Sequence, residues 1–260
     1  MNDGLAPFAW AAITFPALLL LNRWIHAHLH GVSLLLTGKP QRAVVIYAIV
    51  LLPGVLLHEL SHWITARLLG VRTGAFSLIP RRHPDGSVEL GHVEYYKGRS
   101  LGPLRESLIG GAPLLAGTAV ILLIGWRVLG VANLATAVRS GDVDLITLAL
   151  GELFGTRDVW LWVYLLFAIS NAMLPSASDR RAWPAFLLIA GGLALLVYLL
   201  NLGAVVRDGL AQPAAIAFGY LGTAFSIAIV VNLFGMLLLA LFEGLVSRLK
   251  GVRVVYGATE

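Results

Sequence analysis

Apolar residues along this chain gather into long runs, and polar residues mostly fall between them. A helix needs about 20 apolar residues to cross the hydrocarbon of a bilayer. Six segments are long enough: Leu5–Asn22, Ala43–Leu69, Leu104–Leu129, Val159–Pro175, Trp183–Leu200 and Ala214–Val246. The pattern predicts an all-α polytopic membrane protein of about six transmembrane helices. No long Pro/Ser/Gly linker, low-complexity tract or internal repeat interrupts it, so a single membrane-embedded domain over residues 1–260 is expected. The first segment is expected to be retained, since Met1-Asn2-Asp3-Gly4 lacks a basic start and no clear cleavage site follows.

Composition sharpens that picture. With 58% hydrophobic and 13% charged residues, the chain cannot make a soluble globular surface. A net charge of +5 raises the question of nucleic acid, but the Lys and Arg residues sit in the loops. There they set topology and meet anionic lipid, so the expected partner is the lipid bilayer and not nucleic acid. Six crossings put 12 Lys and Arg residues on the side of the termini, loop 67–105 and loop 179–182, against 7 on the other side. The positive-inside rule then predicts a multi-pass protein of the cell membrane with both termini cytoplasmic. The absence of cysteine excludes disulfides, thiolate ligands and cysteine nucleophiles.

The polar residues inside the second run carry chemistry. Residues 58–62 read His58-Glu59-Leu60-Ser61-His62, embedded between Ile49–Leu57 and Trp63-Ile64. Two imidazoles and a carboxylate are costly in hydrocarbon and mark a functional site. On a helix, positions i and i+4 share a face, so His58 and His62 can reach one metal ion. Glu59 flanks that ion, where a carboxylate can take a proton from metal-bound water. The alternative, a polar cluster buried between helices, explains the burial but not the spacing.

Two loops have character. Loop 127–158 is mixed in charge and too short for an added domain, which usually needs at least ~50 residues. Loop 70–103 holds two short strand patterns, Phe76–Ile79 and Val88–Tyr96. Arg81-Arg82-His83-Pro84-Asp85-Gly86 connects them and ends in an Asp-Gly turn signal. A small β-hairpin directly after the His-Glu-x-x-His helix offers an edge strand to an extended peptide, with Val88, Leu90 and His92 as contact residues.

A catalytic zinc site needs a third protein ligand. The fourth run ends Ser170-Asn171-Ala172-Met173-Leu174-Pro175, followed by Ser176-Ala177-Ser178-Asp179. Pro175 stops regular helix there, and irregular backbone at membrane depth surrounds a buried or wet cavity. Asp179 lies just past that break, on the same side of the membrane as His58 and His62.

With these residues assembled, the chain resembles the site-2 protease family of intramembrane zinc metalloproteases. That family pairs His-Glu-x-x-His in one helix with a later Asn-x-x-Pro and a metal-binding Asp in another. Here Asn171 and Pro175 are separated by three residues, and Arg180, where the family usually has Gly, follows Asp179. A Gly-Gly-Ala-Pro stretch, Gly110 to Pro113, resembles the family's Gly-Pro motif in the intervening span. The resemblance implies a catalytic core over about 43–185, with accessory helices at 5–30 and 183–250. It implies Zn2+ on His58, His62 and Asp179, Glu59 as general base, and Asn171 in substrate binding. The implied substrates are transmembrane proteins, cut in or near their membrane segments as in regulated intramembrane proteolysis. No PDZ insertion or nucleotide-binding module fits within the chain.

Two other classes are weighed against that one. A membrane di-iron oxidase also clusters histidines, but needs more ligands than one His-Glu-x-x-His pair supplies. A catalytically silent scaffold or chaperone of the same fold has no use for intact His58, Glu59, His62 and Asp179. His26, His28 and His30 are expected at a membrane exit, on the face opposite the metal site. His83, and His92 apart from its strand role, are expected to be solvated. Glu243 is expected as a polar contact or a snorkelling acid.

Overall fold

The computed structural model describes residues 4–82, 88–95, 102–201 and 203–256. The chain opens with a helical hairpin, α1 (Ala6–Thr37) and α2 (Pro40–Leu68). Gly38, at φ 64°, ends α1 and returns its N–H to the Leu34 carbonyl at 2.8 Å. Lys39 is extended, the conformation favoured before proline, and Pro40 starts α2 with its φ already set for helix. The stretch 23–42, left between the first two expected spans, is therefore mostly helix. The polar residues after Asn22 had suggested an exit from the membrane, but most of them face other helices.

Between α2 and α3, β1 (Thr73–Ser77) pairs antiparallel with β4 (His92–Tyr95), with Phe76 opposite Val93 and Ser77 opposite His92. A second short ladder joins β2 (Arg81–Arg82) to β3 (Val88–Glu89). The turn residues 83–87 lie outside the described residues. Next comes α3 (Pro103–Leu123), closed by a π-helical turn, Ile124–Val128. The expected loop 127–158 holds two helices, α4 (Val131–Ser140) and α5 (Val143–Gly155). Asp142 caps α5, its Oδ1 accepting from the Asp144 and Leu145 N–H groups at 2.9 and 3.2 Å. The remaining helices are α6 (Val159–Ala172), α7 (Trp183–Leu199) and α8 (Gly203–Lys250).

Among the described residues, four helices are long and apolar enough to cross a membrane: α1, α2, α3 with its π turn, and α8. The α5–α6 pair, bent by 88°, makes a fifth if counted as one span, and α7 is shorter. Several long apolar helices with outward-facing Leu, Ile and Phe side chains are compatible with an integral multi-pass membrane protein. The buried centre lies where α1, α3, α6 and α8 meet, around Leu18, Ile121, Leu166, Met173 and Phe225.

Helices α1 and α8 lie side by side and run in the same direction. Phe8 packs on Phe218, Trp10 donates to Ser226 at 3.0 Å, and Asn232 donates to Asn22 at 2.9 Å. Farther along, His28 meets Glu243 at 2.6 Å and Lys250 donates to the Leu36 carbonyl at 3.0 Å. Glu243 is thus a polar contact, and Tyr256 donates to its other oxygen at 2.8 Å.

Parallel neighbours that each cross once deliver Ala6 and Lys250 to opposite faces, whereas two cytoplasmic termini need an even number of crossings. The parent has no cysteine, so single cysteines at Ser87, Ser140 and Thr259 report topology without background. An impermeant thiol reagent is expected to reach positions 140 and 259 from one face and position 87 from the other. Positions 87 and 259 labelling from the same face would restore the six-crossing arrangement.

Candidate metal centre

Helix α2 presents His58 and His62 one turn apart, with their Nε2 atoms 3.1 Å from each other. Asp179, in the turn after α6, places Oδ1 3.2 Å from His62 Nε2 and Oδ2 3.5 Å from His58 Nε2. An ion bound tetrahedrally at about 2.0–2.1 Å holds its ligand atoms about 3.3–3.4 Å apart. The observed separations bracket that value. Among the described residues these three side chains form the one group with metal-ligand geometry, their donor atoms all within 4.8 Å.

The reason the two Nε2 atoms converge lies in the opposite ring nitrogens. His58 Nδ1 donates to the Ala172 carbonyl at 2.6 Å, and His62 Nδ1 donates to the Ile109 carbonyl at 2.8 Å. Both imidazoles therefore turn a lone pair toward Asp179. Two lone pairs and a carboxylate facing one another repel unless a cation lies between them, so the donor chemistry fits a bound metal. Asp179 Oδ2 also accepts from the Ser176 N–H at 2.7 Å, which fixes the carboxylate in the turn.

Two prolines and one diverted N–H leave helix carbonyls free around the site. In an α-helix, carbonyl i accepts from N–H i+4. For Ile109 that position is Pro113, inside α3, which has no N–H to give. For Asn171 it is Pro175, and the Asn171 carbonyl instead accepts from His26 Nε2 at 2.9 Å. The N–H that would serve Ala172 belongs to Ser176, which is diverted to Asp179 Oδ2. Gly110 completes the fit, since a Cβ there would stand 2.1 Å from the Asp179 carbonyl oxygen.

Glu59 is 7% exposed and lines a cavity of about 760 Å³ together with His58, His62 and Asp179. The segment Leu90–Val93 forms another part of the wall. Gly91 comes so near that a Cβ would meet Glu59 Cγ at 2.9 Å. Of the substrate-contact residues expected from sequence, Asn171, Leu90 and His92 line this cavity. Val88 is described only as part of β3, paired with Arg82. The expectation that His92 is solvated does not hold: both ring nitrogens are buried without a hydrogen-bond partner. Asn171 donates to Phe167 O and Asn232 Oδ1 at 2.8 and 2.9 Å, leaving its Oδ1 buried and unpartnered.

Sequence reasoning missed Asn22, Arg23, His26 and Tyr47, which also line the cavity. His26 was expected on the opposite face. Instead it accepts from the Tyr47 hydroxyl and donates to Asn171. Continuous helix through this region separates the three histidines: 26 and 30 share a face, while His28 turns away to Glu243. The usable signal was helical spacing, Leu19, Asn22, Arg23 and His26 falling at i, i+3, i+4 and i+7.

Pro113→Ala keeps every ligand but supplies an N–H that competes for the Ile109 carbonyl. Metal affinity, probed with zinc by chelator competition, is expected to fall about 10- to 100-fold, the usual effect of losing a ligand's outer hydrogen-bond partner. Unchanged affinity would mean that this carbonyl does not orient His62.

Comparison with family models, with curated proteins and with solved structures finds no match for this chain.

Proposed function

We propose that this protein is an intramembrane zinc metalloprotease, similar in its site to the site-2 protease family, that cuts transmembrane segments of other membrane proteins. The observation that carries the reading is the convergence of His58, His62 and Asp179 beside a buried Glu59 in a cavity walled by apolar helices. Zinc held by these three ligands would lower the pKa of water toward ~7 and polarise the scissile carbonyl.

The chain's own residues do the rest. Glu59 takes the proton from the attacking water and passes it to the leaving amine nitrogen. The Asn171 amide oxygen, unpartnered on the wall, accepts a backbone N–H of the bound peptide. The Leu90–Val93 segment holds an extended chain against Glu59. A substrate helix has to unwind to enter, because its carbonyls are otherwise engaged internally. One group of three ligands among the described residues favours a single ion over the two of a di-iron oxidase. The basic residues of loop 67–105 support a cytoplasmic position for the strands and for product release.

Co-expression with a panel of single-pass membrane proteins tests the reading. Wild type is expected to consume at least one of them, and Glu59→Gln to cut it roughly 10²–10⁴-fold more slowly. Both proteins should carry about one zinc per chain, whereas His58→Ala and Asp179→Ala should carry little. Near-normal cleavage by Glu59→Gln alongside an inactive His58→Ala would remove Glu59 from proton transfer. If neither change alters any substrate, a scaffold of the same fold becomes the better account.

A further inference from the structure

Arg23 stands near the middle of α1, between Leu18–Leu21 and Trp24-Ile25, where a charge is expensive to keep and calls for a role. Its neighbours on the cavity-facing stripe are anchored on either side of it. Asn22 Nδ2 donates to the Ser170 carbonyl at 3.0 Å, and His26 donates to the Asn171 carbonyl at 2.9 Å. The α1 backbone at Arg23 is therefore held against the end of α6, where the Ala172 carbonyl orients His58. Arg23 lines the metal cavity, is exposed, and makes no hydrogen bond or ion pair among the described residues.

The two carboxylates in the same cavity do not neutralise it. Asp179 is occupied by His58, His62 and Ser176, and Glu59 has contacts of its own. Two more groups on that wall are buried without hydrogen-bond partners among the described residues, the Asn171 amide oxygen and the His92 imidazole. An unpaired guanidinium, an unpaired acceptor and an unpaired imidazole complement a peptide backbone that carries a carboxylate. The guanidinium is suited to that task, because its planar fork takes both carboxylate oxygens at once.

We propose that Arg23 is a specificity residue, receiving a carboxylate of the bound peptide close to the metal. The carboxylate belongs either to an acidic side chain near the scissile bond or to the free C-terminus of an already trimmed chain. The proposal rests on the peptide-cleaving reading of the site, and its test is built to fail separately from it.

The probe is a set of fluorescent apolar peptides of one sequence, with a central Glu, Gln or Lys and with a free or amidated C-terminus. Binding to zinc-loaded Glu59→Gln protein is followed by fluorescence polarisation, which needs no turnover. The charged member is expected to bind roughly 10- to 100-fold more tightly than its neutral partner, as for hydrogen bonds to charged groups. Preference for Glu over Gln names the side chain as the source, and preference for a free over an amidated end names the terminus. Arg23→Gln should abolish the difference, Arg23→Lys should keep part of it, and Arg23→Glu should turn a side-chain preference toward the Lys peptide. Zinc content and gel filtration confirm that each variant is folded. Equal binding of all peptides, a preference unchanged in Arg23→Gln, or no binding by folded, zinc-loaded protein overturns the proposal. Selective binding without cleavage when Glu59 is intact would keep Arg23's role and remove the protease; cleavage indifferent to peptide charge would do the reverse.

Discussion

The candidate site depends on carbonyls that helices ordinarily keep for themselves. A histidine offers a directed lone pair to a metal only when its other nitrogen is held, and in an apolar interior the available acceptors are main-chain oxygens. Pro113 releases the Ile109 carbonyl for His62, and Pro175 releases the Asn171 carbonyl for His26. Ser176, drawn to Asp179, leaves the Ala172 carbonyl to His58. The helix break that brings Asp179 inward is thus the same break that orients the ligand it faces. Misplacing α3 or α6 would loosen an imidazole, which makes the packing of three helices and the geometry of the metal ligands one constraint.

A buried polar network extends that constraint to the outer helices. Asn232 of α8 donates to Asn22 of α1 and accepts from Ser170 and Asn171 of α6. His26 and Tyr47 continue the chain to α2. Amides and hydroxyls buried this deeply are costly unless paired. Their pairing gives α1 and α8 a fixed seat beside the cavity. The division into a catalytic core at 43–185 and accessory helices understates this, because Asn22, Arg23 and His26 of α1 form part of the cavity wall.

Residues that act through local spacing were legible without coordinates. His58 and His62 had to share a face once α2 was helical, and Asp179 followed from a proline break at matching depth. The strand pattern at His92–Tyr95 also showed in the alternation of its residues. The extent of α1 did not. Asn22, Arg23, His26 and His28 lower the average hydropathy, so the segment resembles a water-exposed loop. The same average arises when polar side chains turn toward a cavity or toward partners on α6 and α8.

The amino-acid sequence by itself determined that the chain is dominated by long apolar helices, that one of them carries a pair of metal-competent histidines with an acid beside them, and that Pro175 ends another. Each of these is a property of single residues or of neighbours within about one helical turn. Tertiary structure decided that His26 faces the cavity of the candidate metal site, that α1 and α8 run parallel, and that Arg23 stands on the same wall as Glu59 without a partner among the described residues. The physical reason is that a helix has the same local hydrogen bonds whichever way its polar stripe turns. Only packing against other helices selects the direction, and those partners lie more than a hundred residues away along the chain.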